Sequence, residues 1–137
     1  MWLAFAVLSA FFAGITAVLS KVGIKNVNSN LGTAIRTVIV FIFSWIMVFV
    51  AGAQNGVFTM GTKTPVFLIL SGFATGASWL CYYKALQDGP ASVVVPIDKL
   101  SILATVIFSY VVLKEKLTKK SFTGLILLIC GTLLLLV

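Results

Sequence analysis

The sequence predicts an all-α membrane protein built from five transmembrane helices. Of its 137 residues, 61% are hydrophobic and only 9% charged, with a mean hydropathy of +1.17. Water-soluble domains carry about 25% charged residues. The apolar residues also fall into five runs, each near the roughly 20 residues that a helix needs to cross a hydrocarbon layer about 30 Å thick. Short segments holding Asn, Gly, Lys and Pro separate the runs, so a single compact membrane domain over residues 1–137 is expected.

Span one is placed at residues 2–21, with Lys21 and Lys25 at its exit and the Asn26–Asn30 stretch supplying turn chemistry. Its apolar run opens without a basic leader and outlasts the 7–15 or so residues of a signal-peptide core, so it is read as a retained span. Ser9, Ala13, Thr16 and Ser20 recur at helical spacing as a small, polar stripe. Span two, residues 31–53, carries Arg36 about five residues in, near enough to the surface for its side chain to snorkel. Residues 52–65 read as a polar loop.

Span three, residues 65–86, starts on Pro65, a residue suited to a helix's first turn. Ser71, Thr75, Ser78 and Tyr82 form its polar stripe, and Gly72 and Gly76 a step that permits close helix approach. Trp79 lies deep enough to face a cavity, whereas Tyr82 and Tyr83, next to Lys84, suit an interfacial aromatic belt. Span four, residues 90–113, contains Pro96, which removes a backbone donor and is expected to bend the helix. Asp98, Ser101, Thr105 and Ser109 share roughly one face. Serines and threonines in such helices also serve simply by bonding the carbonyl four residues back. Span five, residues 120–137, ends in Leu133–Val137 without a polar side chain and reads as a packing element, with Gly124 and Gly131 on one face.

Asp98 and Lys99 are the costly residues. A charge at membrane depth costs about 2.5–3.5 kcal/mol on insertion scales, which asks for a partner or a task. Neighbours on a helix point about 100° apart, so these two are not expected to neutralise each other side by side. Arg36 lies at similar depth if both helices begin on one side of the membrane. The sequence therefore predicts that Asp98 pairs with Arg36, or with a Lys99 of another arrangement or subunit. Either the charges line a solute cavity or they pin spans two and four together.

The ten basic residues against three acidic ones give a formal charge of +7. The lysines gather at span ends, the pattern of membrane anchoring rather than of a nucleic-acid surface. With five spans, one side of the membrane holds Lys63, Lys114, Lys116, Lys119 and Lys120, and the other holds Lys21, Lys25, Arg36 and Lys84. So small a bias permits insertion in both orientations, as an antiparallel homodimer requires. There is no histidine, and Cys81 and Cys130 sit in apolar runs, so no metal site, cofactor or disulfide is indicated. With one acid inside the spans and no histidine, an enzyme is not expected.

Several segments resemble the EamA-type domain of the drug/metabolite transporter superfamily: Gly89-Pro90-Ala91-Ser92 with Pro96, Leu113-Lys114-Glu115-Lys116-Leu117-Thr118, Ala34-Ile35-Arg36 and Tyr83-Lys84-Ala85-Leu86. The resemblance covers the whole chain. It implies half of an inverted-repeat, ten-helix bundle that moves small metabolites by alternating access. It also implies that spans one, three and four line the cavity while span five joins the halves. The small multidrug exporters of that superfamily use a glutamate in their first span; span one here has none, so that mechanism does not carry over.

The expected function is a permease or exporter in the cell (inner or plasma) membrane, working on a small polar or amphipathic metabolite as an antiparallel homodimer. Candidate solute contacts are Asp98, Lys99, Ser101 and Thr105 on span four, Ser71, Thr75, Ser78 and Trp79 on span three, and Ser9 and Thr16 on span one. Arg36 and Pro96 are candidate gating or structural residues. The alternative is a non-transporting accessory or lipid-linked-sugar flippase subunit.

Overall fold

The computed structural model describes all residues from Met1 to Val137. Helices account for every regular element: α1 (Trp2–Gly23), α2 (Ser29–Val50), α3 (Gly56–Thr59), α4 (Lys63–Asp88), α5 (Ala91–Asp98), α6 (Ser101–Val112) and α7 (Lys119–Leu136). Five stretches are long and apolar enough to span a membrane, with α5 and α6 together making the fourth. Large apolar side chains point outward: Phe5, Phe43, Phe73 and Leu127 are 64–76% exposed. Water would penalise so much apolar surface, whereas lipid tails solvate it.

The helix ends follow local chemistry. α2 starts at Ser29, two residues before the expected boundary, because the Asn28 side chain accepts a hydrogen bond from the Asn30 N–H at 2.9 Å. It stops at Val50 rather than Ala53. Gly52 there adopts φ +67°, and the Gly52 and Ala53 N–H groups bond back to the Phe49 and Val48 carbonyls. That pair of bonds is a Schellman motif, which needs a left-handed residue that glycine supplies without strain. The 52–65 segment, expected as loop alone, contains the single turn α3.

Span four is interrupted, not merely bent. Lys99 and Leu100 form a turn between α5 and α6 in which the Leu100 N–H bonds to the Ile97 carbonyl at 2.9 Å. The ladder thus tightens to three-residue spacing just after Pro96, whose ring has no N–H to give to the Ser92 carbonyl. α6 ends with Lys114 in the left-handed region at φ 56°. α7 is capped by Thr118, whose hydroxyl accepts from the Ser121 N–H at 3.2 Å.

The chain divides into two units. One comprises Met1–Ala17 with Gly89–Val137, and the other Val18–Asp88. In the first, α5 packs on α7, and Thr132 is buried with its hydroxyl on the Leu128 carbonyl. In the second, α2 packs on α4 around Ile24, Ser29, Thr33, Tyr83 and Leu86. A Cβ at Gly32 would come within 2.9 Å of the Ile24 side chain, so this turn depends on glycine for its close approach. At Gly72, Gly76, Gly124 and Gly131 a Cβ would meet nothing within 4 Å, which leaves those expected packing faces uncovered within the chain.

Candidate functional site

The densest polar cluster lies in the Val18–Asp88 unit, where the end of α1, the start of α2 and the end of α4 meet. Trp79 and Tyr83 are four residues apart on α4 and therefore share a face. The Arg36 guanidinium sits over both rings, 4.4 Å from the Trp79 centroid and 5.5 Å from that of Tyr83. The Tyr83 hydroxyl and the Ser20 hydroxyl are hydrogen-bonded at 2.8 Å. That bond satisfies a residue only 2% exposed and fixes the ring on which the arginine rests.

The surrounding backbone is tied by side chains. Lys21 donates to the carbonyls of Leu86 and Gln87 at 2.6 and 3.3 Å, a cation at the negative end of α4. Gln87 donates from Nε2 to the carbonyls of Ile24 and Val27 at 2.9 and 2.6 Å. Together these bonds hold the α1–α2 turn against the end of α4. A cleft of about 460 Å³, lined by Lys21, Val22, Lys25 and Gln87, opens beside them.

Arg36 is the eighth residue of α2, about 10 Å along the helix axis from Ser29, deeper than the earlier helix boundary implied. Its side chain does not reach for the surface. It lies nearer to Trp79 than to Tyr83. Trp79 stands one helical turn further from the end of α4, which is about 6 Å along the axis. Each cation–π contact is worth up to about 2 kcal/mol when desolvated, against the 2.5–3.5 kcal/mol or so that a guanidinium costs at membrane depth. The two rings thus offset much of that cost while leaving the N–H edges of the fork free of hydrogen bonds.

Two sequence expectations need correction here. Asp98 meets its own neighbour, with Lys99 Nζ 3.9 Å from Oδ2, although adjacent residues were not expected to pair. Neighbouring side chains diverge by about 100° only along an unbroken helix, and α5 terminates at Asp98. The pair is loose, with the two side chains 39% and 51% exposed. Tyr83 also departs from the belt reading, since it is buried against Arg36 and Ser20.

Of the other candidate residues, Trp79 joins the cluster, while Ser71, Thr75 and Ser78 share its helix and face outward. The hydroxyls of Thr75, Thr16 and Thr105 donate to the carbonyls of Ser71, Phe12 and Ser101, each four residues back on its own helix. Ser9, Ser101 and Thr105 are exposed, and Ser9, Thr16, Pro96, Asp98, Lys99, Ser101 and Thr105 all belong to the other unit. Ser20, Tyr83, Lys21 and Gln87 were not among the candidates. The four-residue spacing of Trp79 and Tyr83 and the place of Ser20 in the α1 stripe were the available signals.

The model of the EamA-like transporter family matches residues 1–137. An uncharacterized transporter of a Sinorhizobium species is 43% identical over 98% of this chain and 95% of its own length. An uncharacterized protein of Methanocaldococcus jannaschii is 31% identical over 69% of this chain and 75% of its own. An uncharacterized transporter of Synechocystis is 28% identical over 95% of this chain but only 38% of its own length. No solved structure matches. A family match along every residue, supported by a relative of nearly equal length, fixes the placement: this multi-pass membrane protein belongs to the EamA-like transporter family.

Proposed function

We propose that the chain is a permease or exporter of the inner or plasma membrane that moves a small polar or amphipathic metabolite by alternating access. The observation that carries this reading is the Arg36–Trp79–Tyr83–Ser20 cluster. It places a fixed, partly desolvated polar group well inside a span of a transporter-family protein. The break at Lys99–Leu100 gives the fourth span a point at which two half-helices can move, as rocking of a repeat requires.

The working unit in this proposal is an antiparallel homodimer. Three features support it: the five spans, the near-equal lysine and arginine counts on the two sides, and the uncovered glycine faces of α4 and α7. The Synechocystis relative matches over only 38% of its length, which leaves room there for a second domain of this size. Two copies of the shorter chain would supply the same number of helices.

A second reading, an accessory or flippase subunit for an anionic lipid-linked head group, draws on the cleft beside Lys21 and Lys25. Reconstitution of the purified chain into liposomes separates the two. Solute flux from the chain alone supports the permease; flux that appears only with a partner chain, or lipid translocation without solute flux, supports the second reading and removes the first.

A further inference from the structure

We propose that Arg36 is the recognition point for the solute and that the solute carries an oxyanion, a carboxylate or a phosphate group. This deepens the transport reading and rests on it. Charge placement is the first support. The Val18–Asp88 unit contains five basic residues, Lys21, Lys25, Arg36, Lys63 and Lys84, and a single acid, Asp88. That acid is already held by Lys84, with Nζ 3.1 Å from Oδ2 and 3.2 Å from Oδ1. Arg36 therefore has no carboxylate of its unit to neutralise it.

Geometry is the second. The rings of Trp79 and Tyr83 take up the flat face of the guanidinium, and a ring face stabilises positive charge without accepting the in-plane N–H bonds. Five donors in a rigid fork remain, a shape that matches a carboxylate or phosphate through two parallel bonds. A lysine would offer a point charge without that fork or the stacking. The fork is held in advance: Tyr83 is buried and anchored by Ser20, and the helix ends carrying the cluster are tied by Lys21 and Gln87. Holding the donors ready before the ligand arrives is what favours binding over rearrangement. The guanidinium also lies toward the deeper ring, where a solute within the membrane would reach it.

The test uses the purified full chain in a phosphate-free maltoside detergent. Matched probes are benzoate with benzamide, lactate with lactamide, and glycerol 3-phosphate with glycerol, titrated against tryptophan fluorescence. The expected result is that at least one anion binds about tenfold or more tightly than its neutral partner. Arg36→Gln should abolish that preference and Arg36→Lys retain part of it. Equal affinities within every pair, or a preference that survives in Arg36→Gln, would overturn the proposal.

Because Arg36 is the sole arginine in the chain, phenylglyoxal gives a readout on the unmutated protein. The same anions, and not their neutral partners, should slow formation of the single adduct seen by intact mass spectrometry; absence of protection counts against the site. A phospholipid retained by the wild type and released by Arg36→Gln, with no response to any soluble anion, would assign the fork to a lipid phosphate and overturn the claim about the solute. Anion binding in detergent without flux in liposomes would defeat the transport reading and leave the anion site standing. Flux of neutral or cationic solutes that is indifferent to Arg36 would do the reverse.

Discussion

Tyr83 carries two obligations at once, a hydroxyl bonded to Ser20 and a ring beneath Arg36. Tyr83→Phe keeps the ring and deletes the bond, so it should lower stability by about 1 kcal/mol, the usual net worth of a hydrogen bond. Thermal unfolding in detergent, run as a double-mutant cycle with Ser20→Ala, checks this. A coupling of about 0.5–1.5 kcal/mol is expected, and additive effects would show that the 2.8 Å contact contributes nothing. At this scale the sequence marked Asp98 as the charge that asks for a partner and Arg36 as able to snorkel, and it did not reveal the two rings beneath the guanidinium. Charge counting sees carboxylates, whereas the partners here are ring quadrupoles. The burial of Tyr83 was equally hard to read, because its neighbour Lys84 signals the membrane interface and only the turn of the helix tells the two positions apart.

Among the elements, the interrupted fourth span is the most informative. Pro96 leaves the Ser92 carbonyl without its helical donor, and the ladder gives way at Lys99–Leu100. Pro96→Ala restores the donor and should join α5 to α6. The expected outcome is a higher unfolding temperature together with a loss of solute flux in liposomes. Unchanged flux in a stabilised variant would remove the break from the transport cycle.

The end of α6 offers an independent check. Lys114 holds a left-handed conformation that costs a residue with a Cβ about 1 kcal/mol. Lys114→Gly should therefore stabilise the protein by roughly that amount, while Lys114→Ala, which keeps the Cβ, should not. Five apolar runs made the spans legible, and Pro96 made a distortion legible. The exact point of the break was not, because it depends on which carbonyl the next free N–H chooses. The Schellman end at Gly52 was likewise hidden inside a stretch that read as undifferentiated loop.

For the whole molecule, the charge distribution and the uncovered glycine faces concern assembly. Lys63, Lys114, Lys116, Lys119 and Lys120 stand against Lys21, Lys25, Arg36 and Lys84, so neither side dominates insertion. Impermeant labelling of single introduced cysteines in a variant lacking Cys81 and Cys130, placed at Gln54 and separately at Asn26, should find both positions reachable from both faces of the membrane. Adding two lysines to one side should shift the population to one orientation and lower flux, with wild type restored by mixing oppositely biased variants. A single orientation in every wild-type molecule would contradict the antiparallel pairing. Membrane class and family were open to reading from the sequence because composition and motif order act along the entire chain.

The most direct test of whether the chain itself transports is efflux from liposomes that contain only the purified protein and are loaded with a whole-cell metabolite extract. Mass spectrometry of the vesicle contents over time should show selective loss of one or a few small solutes bearing a carboxylate or phosphate, relative to protein-free vesicles, and Arg36→Gln should retain them. Vesicle contents that match the protein-free control for every detected solute would contradict it.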